Sequence, residues 1–139
     1  MTSSAATSSA MDALTSGALS TTVVQAASPA SLAISVNVKT HIPVALDLQA
    51  SNFSKWSMLM SVLLGKYELS GHISTDTPAA DRTAEWSRQD YIVRSWLYGS
   101  VSDDILDIIM ARDQTAFQAY ALIRNLFLDN QLTRAVYLE

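Results

Sequence analysis

A chain of 139 residues has room for one ordinary domain and not for two full cores. Its formal net charge of −4, with 9 Lys and Arg against 13 Asp and Glu, excludes the dense basic face that duplex binding requires. Cysteine is absent, which excludes disulfides, thiol catalysis and Cys-based zinc sites and fits a cytoplasmic location.

Residues 1–40 are rich in Ser, Thr and Ala, and Asp12 and Lys39 are their only charged side chains. Short polar side chains offset little of the ordering cost, about 1–2 kcal/mol per residue. A disordered leader over 1–40 is therefore expected, with at most a short strand or helix around "VVQAA" or "LAISVNV". It has no Arg and no basic region before a compact apolar stretch, so neither a transit nor a signal peptide is expected. No apolar run reaches the roughly 18 residues that cross a bilayer, so no membrane partner is expected.

From residue 41 the texture changes, and a helical domain is expected over 41–139. "HIPVALDL" alternates at Ile42, Val44, Leu46 and Leu48, which predicts an extended arm lying across helices or forming half of a small hairpin, with Pro43 confined to an edge. "NFSKWSMLMSVLLGKYEL" places Trp56, Leu59, Met60, Leu63, Leu64 and Tyr67 on one helical stripe. Asn52 suits its N-cap through its side-chain oxygen, and Gly71 its stop. Met58, Val62 and Leu69 lie off the stripe, which predicts contacts on more than one side.

After the polar connection "STDTPAAD", "RTAEWSRQDYIVRSWLYGS" predicts a second helix. Trp86, Gln89, Ile92, Val93, Trp96 and Leu97 share a face, and Gly99 marks the end. Glu85 with Arg88, and Asp90 with Arg94, set acid before base at i+3 and i+4, contributing about 0.2–0.5 kcal/mol each. "SDDILDIIMA" reads as a short helix capped by Ser102, with Asp103 and Asp104 in its first turn. "TAFQAYALIRNLFLD" aligns Ala116, Tyr120, Ile123 and Phe127, flanked by Ala119, Leu122 and Leu126. Asn130 suits the end of this helix or the cap of a next one, in which Ala135 and Leu138 begin a new apolar face. The expected fold is all-α, a four- to five-helix bundle behind an extended arm.

The sequence offers little chemistry. His41 and His72 stand alone, without a second ligand at i+3 or i+4, and read as surface or half-buried imidazoles. Asp103 and Asp107 lie one turn apart, yet with Asp104 they read as complements of the helix dipole on a solvated face. No serine sits in a Gly-x-Ser-x-Gly setting, and four glycines make no phosphate-cradling loop. Trp56, Trp86 and Trp96 fall at helical spacing inside apolar stripes and read as core, not as base-stacking platforms. No enzyme, cofactor or metal is expected.

Four stretches, "ASNFSKWSMLMSVLLGKYELSGHI", "EWSRQDYIVRSWLYGSVSDDILDIIM", "TAFQAYALIRNLFLDN" and "TRAVYLE", together resemble the N-terminal, capsid-like part of the Gag polyprotein of copia-type LTR retrotransposons of plants. The resemblance rests on Asn52, Phe53 and Trp56 at a helix start, and on Gly71 after Leu69. It rests further on Trp86, Asp90, Ser95 and Trp96 before the acidic helix that holds Ile105. Tyr120, Ile123 and Phe127, then Asn130 and Arg134, complete it, and Leu63 falls in the first helix. Tyr120 stands where family members show Trp.

This resemblance implies a structural, non-catalytic domain that self-associates or joins other Gag-like chains into a particle shell. The zinc knuckle with which full-length Gag grips RNA does not carry over to a chain without cysteine, so RNA is not an expected partner. Since the family's domain continues through more helices, a truncated relic is expected, with apolar faces left uncovered and a marginal or oligomeric chain as the result. The alternative is a host-adopted all-α module that binds a peptide or partner helix in an apolar groove.

Overall fold

The apolar stripes close on one another in an all-α fold. A computed structural model describes residues 28–138, with side chains up to Asp129. Its helices are α1 (Pro29–Leu32, running into a 3₁₀ turn at Ala33–Ser35), α2 (Val38–His41), α3 (Phe53–Lys66), α4 (Gly71–Ser74), α5 (Ala84–Gly99), α6 (Asp103–Ile109) and α7 (Ala116–Leu138). Helices α4, α5 and α6 pack on α7, and α2 packs on α5.

The packed unit starts before residue 41, contrary to the expected leader; residues 1–27, "VVQAA" among them, lie outside the described residues. Ser28 accepts from Ser31 N at 3.2 Å, with Pro29 at the first helical position, a pairing that starts helices. Asn37 caps α2 by accepting from Lys39 N. Ala33 is buried in the core, and Val36 and Val38 pack against it. Val38 explains a small residue on α5: a Cβ at Gly99 would lie 3.3 Å from Val38 Cγ1. Composition missed this segment because its few apolar groups work by close approach, not by area.

The arm leaves the helices only between Ile42 and Asp47, since His41 ends α2 and Leu48 lies in a turn; Ile42 and Leu46 are buried and Val44 and Leu48 half-buried. No hairpin forms among the described residues. Leu46 instead makes an isolated parallel bridge to Val101, donating to Ser100 O at 2.9 Å and accepting from Ser102 N at 2.8 Å. Asn52 occupies the N-cap position of α3, but its side chain does not cap the helix. It grips the arm, accepting from Asp47 N at 3.1 Å and donating to Ala45 O at 3.0 Å.

The α3 stripe is buried at Trp56, Met60, Leu63 and Leu64, with Leu59 and Tyr67 half-buried. Leu69 is buried too, but Met58 and Val62 stand 68% and 66% exposed, so this helix is covered on one side only. Gly71 is not its stop. The chain turns at Glu68, whose φ of 59° is left-handed. There Glu68 N donates to Gly65 O and Leu69 N to Leu64 O, the paired bonds of a Schellman end. Gly71 merely begins α4, and a Cβ there would meet open space.

Aromatic rings join α3 to α7. Phe53 stacks on Phe127 at 5.0 Å and Trp56 on Tyr120 at 6.1 Å. The Trp56 Nε1–H donates to Ser100 Oγ at 3.0 Å, and that hydroxyl donates onward to Trp96 O at 2.7 Å. Trp96 is buried against Tyr67, and Val93 and Leu97 are buried beside it. Ile105 and Ile109 of α6 and Ala116, Ala119, Ile123 and Phe127 of α7 complete the core. Leu126 packs at its margin while Leu122 is exposed. Asn130 neither ends α7 nor caps another helix, because α7 runs unbroken through Arg134 to Leu138. The side chains of Asn130, Arg134, Ala135 and Leu138 lie outside the described residues.

Three outcomes follow from this packing. Trp56→Ala and Trp96→Ala should each cost about 3–5 kcal/mol in urea unfolding; retention of native stability by either contradicts the burial. Glu68→Gly should raise stability by about 0.5–1 kcal/mol, since glycine relieves a left-handed side chain, while Gly71→Ala should lower nothing; the opposite pattern would place the stop at Gly71. Burial raises the Tyr120 hydroxyl above its ordinary value, with the positive charge of Arg124 pulling weakly the other way. The folded chain then holds that proton more tightly than the unfolded chain does. Its contribution is complete below about pH 10 and is lost as pH climbs through the higher folded value. Tyr120→Phe should flatten this alkaline decline in stability; an unaltered decline contradicts it.

Candidate functional site

The most concentrated polar chemistry in the described core lies where α4, α5 and the start of α7 meet. Its centre is Asp90 of α5, 3% exposed. His72 of α4 presents Nδ1 to Asp90 Oδ1 at 3.0 Å, and facing a carboxylate this nitrogen is the donor. Ala116 N, the first helical amide of α7, donates to Asp90 Oδ2 at 3.1 Å and to Oδ1 at 3.4 Å. Arg94 Nε stands 3.5 Å from Oδ2, an ion pair too long to be a strong hydrogen bond, and this Nε has no hydrogen-bond partner. The spacing of Asp90 and Arg94 predicts an i,i+4 pair, and the structure turns its aspartate inward onto His72 and the start of α7.

A buried carboxylate costs several kcal/mol unless its lone pairs are met. Here both oxygens are met, and the 23-residue α7 presents the positive end of its dipole to them. Thr115 and Gln118 finish that end reciprocally: Gln118 N donates to Thr115 Oγ1 at 3.2 Å, and Thr115 N donates to Gln118 Oε1 at 3.0 Å. Gln114 steadies the preceding turn by donating to Ile109 O at 2.8 Å and accepting from the Tyr98 hydroxyl.

His72 is buried, not the surface or half-buried ring its isolation suggests, and both its nitrogens are engaged, Nε2 lying 3.2 Å from Gln89 Oε1. Gln89 in turn donates to Glu85 Oε2. Eighteen positions separate His72 from Asp90, and no sequence period links them. In the sequence Asp90 reads only as the acid of a pair with Arg94 and as one residue of the resemblance to Gag chains.

Trp86 departs most from expectation. It is half-buried, outside the core, with its ring 5.0 Å from the His72 ring and the Arg82 guanidinium 5.1 Å from its centroid. It helps line a cavity of about 250 Å³ beside Asp90, together with Arg82, Tyr91, Arg94, Asp113 and Gln114. Arg94 lies 4.5 Å over the Tyr91 ring, and Arg82 Nε donates to Thr77 O. Two arginines face two aspartates there, and His72 does not line the space. The arrangement holds helices in register and balances its own charge. An open groove of about 390 Å³ runs between the α6–α7 turn and α7, bordered by Ala111, Phe117, Ala121 and Leu122.

The other motif residues divide between core and surface. Phe53, Trp56, Tyr120 and Phe127 form one aromatic cluster, with Leu63, Ile105 and Ile123 buried around it. Ser102 caps α6 by accepting from Ile105 N, and Asp103, Asp104 and Asp107 are exposed. Among the described residues, no three His, Cys, Asp or Glu side chains come together as a metal cage.

Asp90→Ala should cost about 3–5 kcal/mol, because His72 and the α7 terminus lose the charge they bond. Trp86→Ala should cost only about 1–2 kcal/mol, as expected for a ring half in solvent. Equal losses in chemical unfolding would contradict this ranking. Compared with known proteins, the chain matches no family model, no curated protein and no solved structure.

Proposed function

We propose that this chain is a non-enzymatic structural domain that associates with copies of itself, of the kind found in the capsid region of copia-type Gag polyproteins. The observation that carries the reading is the outward apolar pairs on helices whose inner faces are already packed. Met58 and Val62 project from α3, and Ile108 and Met110, each 54% exposed, from the end of α6. Exposed apolar area, grouped at i and i+4 in Met58 and Val62, favours association, at roughly 25 cal/mol per Å² buried. The polar centre supports the same reading, since His72 and Asp90 are spent on holding helices together. Self-association would take place between folded chains and needs no cofactor.

The groove beside Leu122 favours a second reading, a host-adopted module that takes a partner helix along α7. Sedimentation equilibrium across a dilution series separates the two. Self-association predicts a weight-average mass that rises with concentration and falls on dilution. A chain that remains monomeric up to about 1 mM, the edge of measurable affinity, contradicts it.

A further inference from the structure

The two outward apolar pairs carry opposite charge, and this points to how one copy would meet the next. On α3, Lys55, Met58, Val62 and Lys66 follow one another at steps of three, four and four residues. At 3.6 residues per turn these steps keep all four within an arc of roughly 80°. All four are exposed, and α3 itself contains no acidic residue. This face is therefore an apolar centre between two lysines.

On α6, Asp104, Asp107 and Ile108 share an arc of roughly 100°, and Met110 follows at the C-cap. These side chains too are exposed, and α6 contains no basic residue. The second face centres on Asp107, with Asp104 and Ile108 on one side of it and Met110 roughly 60° round the helix on the other. Neither face complements itself: two copies of the first would juxtapose lysines, and two copies of the second, aspartates. Like-charge juxtaposition disfavours a symmetric pairing of either patch.

We infer that the α3 face of one copy docks on the α6 face of another, Met58 and Val62 meeting Ile108 and Met110 while Lys55 and Lys66 meet Asp104 and Asp107. Such a contact uses different patches on the two copies: it closes as a two-fold pair where both patches of each copy meet at once, and continues into a ring or an open assembly where they do not. The inference rests on the self-association reading and specifies its surface.

Charge reversal on each side tests it. One variant carries Lys55→Glu and Lys66→Glu, the other Asp104→Lys and Asp107→Lys; all four sites are exposed, and circular dichroism checks that each variant is folded. Each variant alone should associate at least about tenfold more weakly than the parent chain, a change of about 1.4 kcal/mol. An equimolar mixture should recover association, because every reversed face then finds an opposite one. Added salt should weaken the parent assembly and the mixture alike. Parent-like association of either variant alone, or a mixture no better than its components, overturns the docking scheme while leaving self-association standing. A parent chain that does not associate at all overturns both.

Discussion

One buried carboxylate fixes how the second half of this fold is joined. Asp90 is buried on α5 and binds the first amide of α7 and the His72 ring of α4. Apolar burial alone has little directional preference, so two helices can slide or rotate against each other at small cost. A charge that must keep its partners within hydrogen-bond reach has no such latitude. The long α7 is thereby held by its N-terminus, which places Tyr120 and Phe127 against Trp56 and Phe53.

The first half uses neutral polar groups in a similar way. Ser100 closes α5, accepts the indole proton of Trp56, and offers its carbonyl to Leu46 of the arm. Asn52 adds two bonds to the same arm from the start of α3. A strand with no sheet would otherwise leave its backbone unmet, so these contacts explain how a lone extended segment persists in an all-helical protein. Both polar joints sit at helix ends, where orphan backbone groups already need partners.

Periodicity made the helices and most of the core legible. Trp56, Met60, Leu63, Leu64, Val93, Trp96, Ile123 and Phe127 all lie on the faces their spacing assigns. What spacing did not reveal depends on partners distant in the chain. Asp90 reads as the partner of Arg94 alone because the sequence does not show His72 or Ala116 beside it. Asn52 reads as a cap because its oxygen has the right chemistry, and the arm that claims it comes only with the fold. Trp86 continues an apolar stripe, but at the first turn of α5 that stripe has passed the edge of the core. Met58 and Val62 show the converse, apolar residues whose cover is not supplied within the described fold.

The joint at Asp90 is tested most directly by amide exchange at Ala116. A first-turn amide of a helix has no partner within that helix and ordinarily exchanges with solvent through local fraying. If Asp90 holds it, Ala116 should exchange as slowly as the interior amides of α5, through openings close to global unfolding. Exchange at Ala116 as fast as in an unstructured peptide, with α5 protected, would contradict the account.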